Sequence, residues 1–448
     1  MRLSFLYLAL AMLAGLAFGA CVRPQITPIA SNVPSPSPTQ AILPTATAVP
    51  PRPTPSAMPV SSLAPTPTAT LVTSPRSSVT PRSVLSACPA DIGQALFSVL
   101  PMQLDQFLAF RPLGWTSPPS NVFPTKHSSF ALALPGQEPP RYPVLFPGDI
   151  WVTQVNSTEW ASGKTGYQVY FQPCQEFTAY FYHLSSLSER LLAELDGGEK
   201  SCRSYDAGGG MVRLCMVRTH VRVQGGELAG LSGDAAGVDF GAVDYRTPPL
   251  AFADPSHYTL ELLHYVSPVL YFSPEMRQAL EGKLSSYDGK VVRTAEPRVG
   301  LIAQDVVGTA QGNWFSTGLH WAMSPPPNPD PFIALVHDYV DPAQPLFSIG
   351  GLAVPGLGQG VYSVAPLAEG KVNRDFTAVS PDGTVYCYDR FLTGKTTGGI
   401  GLSKPGGVLV ISMPDAKTLL VEKQGNAGAT CASLAPWRLT EAATSFTR

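Results

Sequence analysis

Short runs of β-branched and aromatic residues dominate the middle of the chain, and Gly, Pro and Asn interrupt them at short intervals. Such runs are typical of strands, because these side chains pack well on a pleated sheet and the interrupting residues favour turns. The pattern predicts an antiparallel β domain. Its predicted strands span residues 129–134, 141–145, 150–155, 167–171, 176–183, 211–217, 219–223 and 238–245.

Two helices are predicted outside this β region. The pattern between about Cys88 and Phe110 is that of a short helix. Further along, Ser273 stands at an N-cap position, Pro274 follows at the first helical position, and Gly282 closes the segment. These start and stop signals occur in the right order, so we predict a helix over residues 273–282.

Strand-like runs resume after about residue 295 and continue to the end of the chain. The turn signals Pro381-Asp-Gly383 and Pro405-Gly-Gly407 separate some of them. We therefore expect a second β-rich domain. Its predicted strands centre on Leu335, Phe347, Tyr362, Phe376, Val385, Val408 and Leu419.

The first 20 residues read as a signal peptide, with Arg2 followed by an uncharged, mainly apolar run that ends in Gly19 and Ala20. Small residues directly before Cys21 resemble the bacterial lipobox, in which this cysteine receives a diacylglyceryl group. The resemblance implies an extracytoplasmic protein that is lipid-anchored to a bacterial membrane through Cys21. Two alternatives remain, namely ordinary cleavage after Ala20 and an uncleaved membrane helix.

Residues 21–83 consist almost entirely of Pro, Ser, Thr, Ala and Val. Such a segment cannot bury a core, so we expect a disordered tether that favours the extended polyproline II conformation. The remaining residues, 84–448, exceed what one core usually spans. We divide them into a β domain at 84–254, a helical connector at 255–294 and a C-terminal β-rich domain at 295–448.

The cysteines predict disulfides, and the charge balance gives no electrostatic case for nucleic acid. The chain has seven cysteines and a formal net charge of −2, and no Cys-x-x-Cys motif suggests a metal site. With Cys21 set aside for lipid, six remain, which an oxidising compartment would pair. Cys202 and Cys215 flank a Gly-rich turn at residues 206–210, and Cys387 and Cys431 lie on strand-like stretches. Spacing therefore favours the pairs Cys202–Cys215, Cys387–Cys431 and, by remainder, Cys88–Cys174.

Five motifs follow one another between His127 and Asp244. They are His127-Ser-Ser-Phe-Ala131, the run from Pro143 to Val152, Tyr182-His-Leu-Ser185, the run from Gly226 to Gly230, and Gly237-Val-Asp-Phe240. In this order they resemble the M23 (LytM, lysostaphin-like) metallopeptidases, a β-sheet family that cleaves peptidoglycan cross-bridges with one zinc ion. The resemblance implies a LytM-like antiparallel β domain, followed by a helix and the second β-rich domain.

The resemblance also implies that the catalytic chemistry is lost. Its zinc-ligand positions hold His127, Ala131 and Asp239, while His183 matches a catalytic strand histidine and Gly237 replaces another. A catalytic zinc needs three protein ligands and an open position, and an alanine side chain offers no lone pair. We therefore expect a degenerate peptidase with no catalytic residue, no metal and no cofactor.

Three functions remain open at this point. The first is a non-enzymatic envelope lipoprotein whose degenerate domain binds peptidoglycan or a protein partner such as a wall hydrolase. The second is a zinc endopeptidase with a rearranged site formed by His127, Asp239 and a further ligand, His183 or Asp234. The third is a structural surface protein. No Gly-x-Ser-x-Gly elbow, phosphate loop or dinucleotide fingerprint suggests another chemistry.

Overall fold

Antiparallel strands form most of the regular structure in the computed structural model, which describes residues 85–91, 93–206, 211–323 and 331–448. The predicted signal peptide, the lipidation site Cys21 and the predicted tether at 21–83 lie outside the described residues. The chain is mainly β, and the described body falls into one compact unit. None of the helices in this part of the chain combines the length and apolar character that crossing a membrane requires.

The N-terminal half of the described chain builds a nine-stranded sheet with the order β1-β2-β11-β6-β5-β4-β9-β8, and β12 also pairs with β11. A small sheet of order β3-β10-β7 accompanies it. The strands are β1 (Ala109–Arg111), β2 (Ser128–Ala131), β3 (Pro143–Leu145), β4 (Ile150–Trp160), β5 (Thr165–Cys174), β6 (Phe177–Leu184), β7 (Ser186–Leu187), β8 (Lys200–Asp206), β9 (Met211–Val223), β10 (Leu228–Leu231), β11 (Gly237–Asp244) and β12 (Tyr265–Val266).

The two faces of the nine-stranded sheet differ because successive side chains of a strand point to opposite sides. Phe130 of β2 lies opposite Val238 of β11, and Phe181 of β6 lies opposite Phe240 of β11, so these apolar side chains share one face and form its core. The other face carries Ser129, Asp239 and Tyr182 in one row across the same strands. We call this second side the polar face.

The C-terminal half forms an eight-stranded antiparallel sheet with the order β16-β15-β14-β13-β20-β19-β18-β17. Its core includes the fully buried Trp314, Phe347 and Ile411. The strands are β13 (Gly312–Ser316), β14 (Ile333–His337), β15 (Pro345–Ile349), β16 (Gly360–Ser363), β17 (Val385–Tyr388), β18 (Val408–Asp415), β19 (Thr418–Gln424) and β20 (Thr444–Thr447).

Helices are short and lie between the strands. The helix predicted at 273–282 is confirmed as α3, and the Ser273 hydroxyl accepts from the backbone N–H of Met276 at its N-cap. The α-helices are α1 (Glu189–Gly197), α2 (Leu260–Leu263) and α3 (Pro274–Glu281), and the 3-10 turns are Pro255–His257, Pro268–Tyr271 and Phe376–Ala378.

The two large sheets meet through an aromatic cluster. Tyr180 and Val243, on the polar face, pack in one buried group with Tyr265 from β12 and with Phe315 and Phe332 from the C-terminal half. The C-terminal half therefore covers part of the polar face near β6 and β11. The rest of that face, over β4 and β5, borders a groove described below.

Three disulfides are present, in the pairing that spacing favoured. Cys88 pairs with Cys174, Cys202 with Cys215, and Cys387 with Cys431. Cys202 and Cys215 lie directly opposite each other on β8 and β9, which confirms the predicted hairpin, whose turn residues 207–210 lie outside the described residues. Cys431 was predicted to lie on a strand, but it lies in a turn. Its backbone N–H donates to the Asp389 carboxylate.

Three other secondary-structure predictions need correction. No helix forms among the described residues between Cys88 and Phe110, because the backbone there donates to distant carbonyls, including Tyr271 and Pro147. The predicted strands 211–217 and 219–223 are one continuous strand, β9. Phe376 begins a 3-10 turn rather than a strand, since the Asp375 side chain caps it by accepting from the N–H of Thr377.

Candidate functional site

Strand register brings three of the sequence-predicted site residues together on the polar face. Asp239 of β11 lies between Ser129 of β2 and Tyr182 of β6. His127 directly precedes β2 and His183 is near the end of β6, so both imidazoles reach the same carboxylate. His127 Nδ1 lies 3.4 Å from Asp239 Oδ1, and His183 Nε2 lies 3.3 Å from Asp239 Oδ2.

The charged contacts continue from His183 to two residues in loops. His183 Nδ1 lies 3.5 Å from Asp234 Oδ2, and Lys164 Nζ lies 3.2 Å from Asp234 Oδ1. Lys164 also donates to the backbone carbonyl of Asp234. We call the series Lys164, Asp234, His183, Asp239 and His127 the ion chain. It alternates cationic or imidazole groups with carboxylates, so each carboxylate has contacts on two sides.

The backbone of His183 is held in an uncommon conformation. Its φ of 68° lies in the left-handed region, where residues other than glycine are rare, and a register irregularity between β5 and β6 occurs at the same place. Contacts of both ring nitrogens with carboxylates favour this conformation despite its steric cost. The contacts of the His183 ring within the ion chain therefore also help to hold the His183 backbone in this conformation.

The protonation states follow from burial and neighbouring charges. Burial opposes charge on His183, but Asp239 and Asp234 outweigh it and raise the pKa of His183 to about 10. Burial lowers the pKa of His127 more strongly than Asp239 raises it. Burial of Asp239 favours its neutral form, yet both histidines and the Ser129 hydroxyl hold the pKa of this carboxyl well below its usual range. At neutral pH the site therefore contains an imidazolium, two carboxylates and a neutral imidazole.

Ala131 and Gly237 occupy the remaining positions of the M23-like pattern and pair with each other across β2 and β11. Ala131 is fully buried, and a Cβ added at Gly237 would lie 2.7 Å from the Phe130 carbonyl oxygen and 2.9 Å from Ser129 Oγ. The close approach of the two strands therefore excludes a side chain at residue 237. An imidazole cannot enter there unless the β2–β11 pairing shifts.

These residues do not fit a zinc ion. Ala131 has no donor atom, both ring nitrogens of His183 contact carboxylates, and both oxygens of Asp239 face imidazoles. In the described residues, no group of three or more His, Cys, Asp or Glu side chains is arranged to hold a metal ion. No catalytic step through zinc is therefore derived for this site.

A groove of about 620 Å³ lies over the polar face, and residues of β4, β5, β6, β9 and β11 line it. Gln154, Gln172 and Thr178 line the groove, and the amide of Gln172 donates to the Thr178 hydroxyl. The remaining walls include both aromatic and charged side chains: Tyr170, Tyr180, Tyr245, Arg218 and Glu261. Amide, hydroxyl and aromatic groups in one groove suit a polar polymer such as a glycan or peptide.

No protein-family model matches the chain, and none of the curated proteins matches it. The resemblance to the M23 metallopeptidases therefore depends on the order of motifs and on the residues of the ion chain themselves.

The ion chain contains one residue that the sequence analysis did not select. Lys164 lies in the turn between β4 and β5, 70 residues before Asp234, and no local pattern links the two. Asp234 was considered only as a zinc ligand, whereas the structure places it between two cationic side chains. Gly166 is the nearby sequence feature that fits this contact. A Cβ at this position would lie 2.4 Å from Asp234 Oδ2, so the glycine leaves room for the Asp234 side chain.

The raised pKa of His183 predicts a pH-dependent stability. Because the folded-state pKa of about 10 exceeds the unfolded value of about 6.5, the stabilisation is complete below about pH 6.5 and is lost as the pH rises through 10. The ring is 41% exposed, so solvent screening limits the contribution to about 1–2 kcal/mol. We expect His183→Asn to lower the free energy of unfolding by this amount near pH 6. Asparagine tolerates the left-handed backbone, so the variant isolates the charge.

Urea unfolding of both proteins between pH 5.5 and pH 10 measures the difference directly. The lower limit keeps Asp234 and Asp239 ionised, since their folded-state pKa values are lowered and their stabilisation is lost only at acid pH. The difference between the proteins should shrink as the pH approaches 10. A difference that stays constant or grows over this interval would contradict the assigned imidazolium.

Proposed function

We propose that the chain is a non-catalytic, lipid-anchored envelope protein whose degenerate M23-like domain binds peptidoglycan. The ion chain is the observation that carries this proposal. It keeps the M23-like histidines together but directs them to carboxylates of the same protein. An imidazolium with a pKa of about 10 cannot accept a proton from water at neutral pH, so His183 is unsuited to act as a general base.

The groove supports a binding role. Peptidoglycan presents hydroxyl and amide groups, which pair with the Gln, Thr and Tyr side chains that line the groove. Tyr170 and Tyr182, whose hydroxyls contact each other, place aromatic surface at the boundary between the groove and the ion chain. A partly preformed polar groove reduces the ordering cost of binding an extended polymer.

The proposed lipid at Cys21 and the tether at 21–83 would give this domain its reach. Labelling with a fatty-acid probe should mark the wild type and not Cys21→Ala; equal labelling would contradict lipidation at this residue.

Sedimentation with purified peptidoglycan sacculi tests the binding function. We expect the full chain, kept soluble in mild detergent, to pellet with sacculi. The double variant Gln154→Ala/Gln172→Ala should bind roughly 30-fold more weakly, because two lost hydrogen bonds of about 1 kcal/mol each amount to about 2 kcal/mol. Gln278→Ala is the matched control, since Gln278 is exposed on α3, outside the groove.

Two results would count against this function. If the wild type stays in the supernatant, the domain does not bind peptidoglycan. If the supernatant protein instead captures a purified wall hydrolase, the partner is that protein and the groove does not bind the polymer. If the groove variant and the Gln278→Ala control pellet equally, the body binds peptidoglycan through a surface other than the groove.

A further inference from the structure

A second charged feature lies at the end of the nine-stranded sheet, on strand β1. Arg111 lies opposite Ser129 in the same row of the polar face as Asp239, and only 9% of the residue is exposed. Its guanidinium carbon lies 3.6 Å from the centre of the Trp115 ring and 5.0 Å and 5.6 Å from the rings of Tyr287 and Tyr339. Aromatic rings therefore surround the cation.

No carboxylate compensates this charge in the part of the chain that the structure describes. Arg111 forms no ion pair there, and its Nε has no hydrogen-bond partner. Cation–π contacts and the neighbouring Tyr339 hydroxyl offset part of the desolvation cost, but they leave the Nε–H donor without a partner. A buried arginine with an unused donor is the arrangement expected before an anion binds.

Arg111 borders a cavity of about 290 Å³. Arg111, Thr116, Ser117 and Tyr287 line it together with the glycine-rich loop 398–401 between β17 and β18. The Thr116 hydroxyl is a second buried group without a hydrogen-bond partner, on a residue that is 1% exposed. Two residues that each carry a buried, unpaired polar atom thus line one cavity, which has room for roughly ten water volumes.

The nearest acidic side chain to the glycine-rich loop is Asp338, next to Gly398. Asp338 does not line the cavity, and its Oδ1 accepts from the backbone N–H groups of Val340 and Asp341. Arg111 is the one charged side chain among the lining residues. The cavity therefore presents a single positive charge.

We propose that this cavity binds a carboxylate group, with the Arg111 guanidinium as the charged donor and the Thr116 hydroxyl as a second donor. The inference rests on the proposed function, because the peptide stems of peptidoglycan carry free carboxylates. Trp115 covers one face of the guanidinium, which leaves its planar edge for a planar two-oxygen acceptor. One cation matches a singly charged carboxylate better than a phosphate, which carries more charge.

Binding of a small peptide measures this property separately from binding to the wall. The probe is an N-acetylated D-alanyl-D-alanine dipeptide with a free carboxyl terminus, compared with the same dipeptide amidated and with inorganic phosphate. Calorimetry with the full chain gives the affinity. We expect the acid to bind at least tenfold more tightly than the amide, and more tightly than phosphate.

Variants locate the binding to the cavity. We expect Arg111→Gln to bind the acid roughly 10- to 100-fold more weakly, and Thr116→Val a few-fold more weakly, because hydrogen bonds to charged groups are stronger than neutral ones. Arg213→Gln is the matched control, since Arg213 lies on β9 at the opposite side of the sheet and its side chain is 54% exposed. Circular dichroism checks that each variant is folded. If Arg111→Gln does not fold, the acid–amide comparison in the wild type and the Thr116→Val variant decide.

The inference is overturned if the acid fails to bind, if acid and amide bind equally, if phosphate binds more tightly, or if Arg111→Gln binds like the Arg213→Gln control. These results are distinct from failure of the proposed function. If the proposed function fails, the wild type does not pellet with sacculi. If only the carboxylate site fails, the wild type still pellets. Weaker dipeptide binding in both cavity variants, with the control unchanged, supports the assigned site.

Discussion

Asp239→Asn should lower the free energy of unfolding by about 3 kcal/mol near pH 6. Asp239 is the carboxylate that joins His127 to His183, and it is 8% exposed. Replacing it with an uncharged amide leaves the His183 imidazolium with Asp234 alone and removes the charge that both histidines contact. Breaking a buried pair by removing one partner costs about 3–5 kcal/mol, and the partial exposure of His183 places the value at the lower end. Urea unfolding measures it.

Asp196→Asn provides the control for this prediction. Asp196 forms a surface pair with Lys200 at 3.6 Å, and its side chain is 67% exposed. Such pairs contribute little, so the control should change the free energy of unfolding by less than about 0.5 kcal/mol. If Asp239→Asn were equally harmless, the ion chain would not stabilise the polar face, and the proposal would lose the observation that carries it.

The triple variant Ala131→Asp, Gly237→His and Asp239→His should destabilise the protein by more than about 3 kcal/mol and should not bind zinc tightly. These changes restore the residue types of the M23-like pattern. The new imidazole at residue 237 would begin 2.7 Å from the Phe130 carbonyl oxygen, which is fixed in the pairing between β2 and β11. Overpacking in such a place forces backbone shifts. Thermal melting and zinc titration measure the two outcomes.

Gly197→His is the control for the steric part of this prediction. Nothing lies within 4 Å of a Cβ at Gly197, so an added imidazole meets open space there. We expect this variant to retain nearly all of the wild-type stability. A triple variant that binds one equivalent of zinc with unchanged stability would show that the strands still accommodate a metal site, contrary to the packing described above.

The strands were the part of the fold that the sequence predicted best. Most runs of β-branched and aromatic residues became strands. His127, His183 and Asp239 lie close together in the structure, but this proximity does not test the M23 resemblance. Helix α1 was missed, although the buried Leu191 and Leu195, four residues apart, are a signal for it. The predicted helix between Cys88 and Phe110 was wrong because tertiary hydrogen bonds outweigh the local pattern there.

Other features of the site could not be predicted from local patterns. Lys164 and Asp234 meet because two loops converge beside β6, and Arg111 acquires its ring contacts from Tyr287 and Tyr339, which lie more than 170 positions further along the chain. The exclusion of a side chain at Gly237 depends on strand separation, which composition does not encode. These are contacts between residues far apart in the sequence, and they become visible only in the folded structure.

The most direct test of the central claim combines bound metal and hydrolysis in one experiment on the full chain. The purified protein is supplied with zinc, its bound metal is measured, and it is then incubated with cross-linked peptidoglycan. Our account predicts that the protein pellets with the polymer, holds no stoichiometric zinc and releases no muropeptides. One equivalent of tightly bound zinc, together with muropeptide release that disappears in His127→Ala, would contradict it.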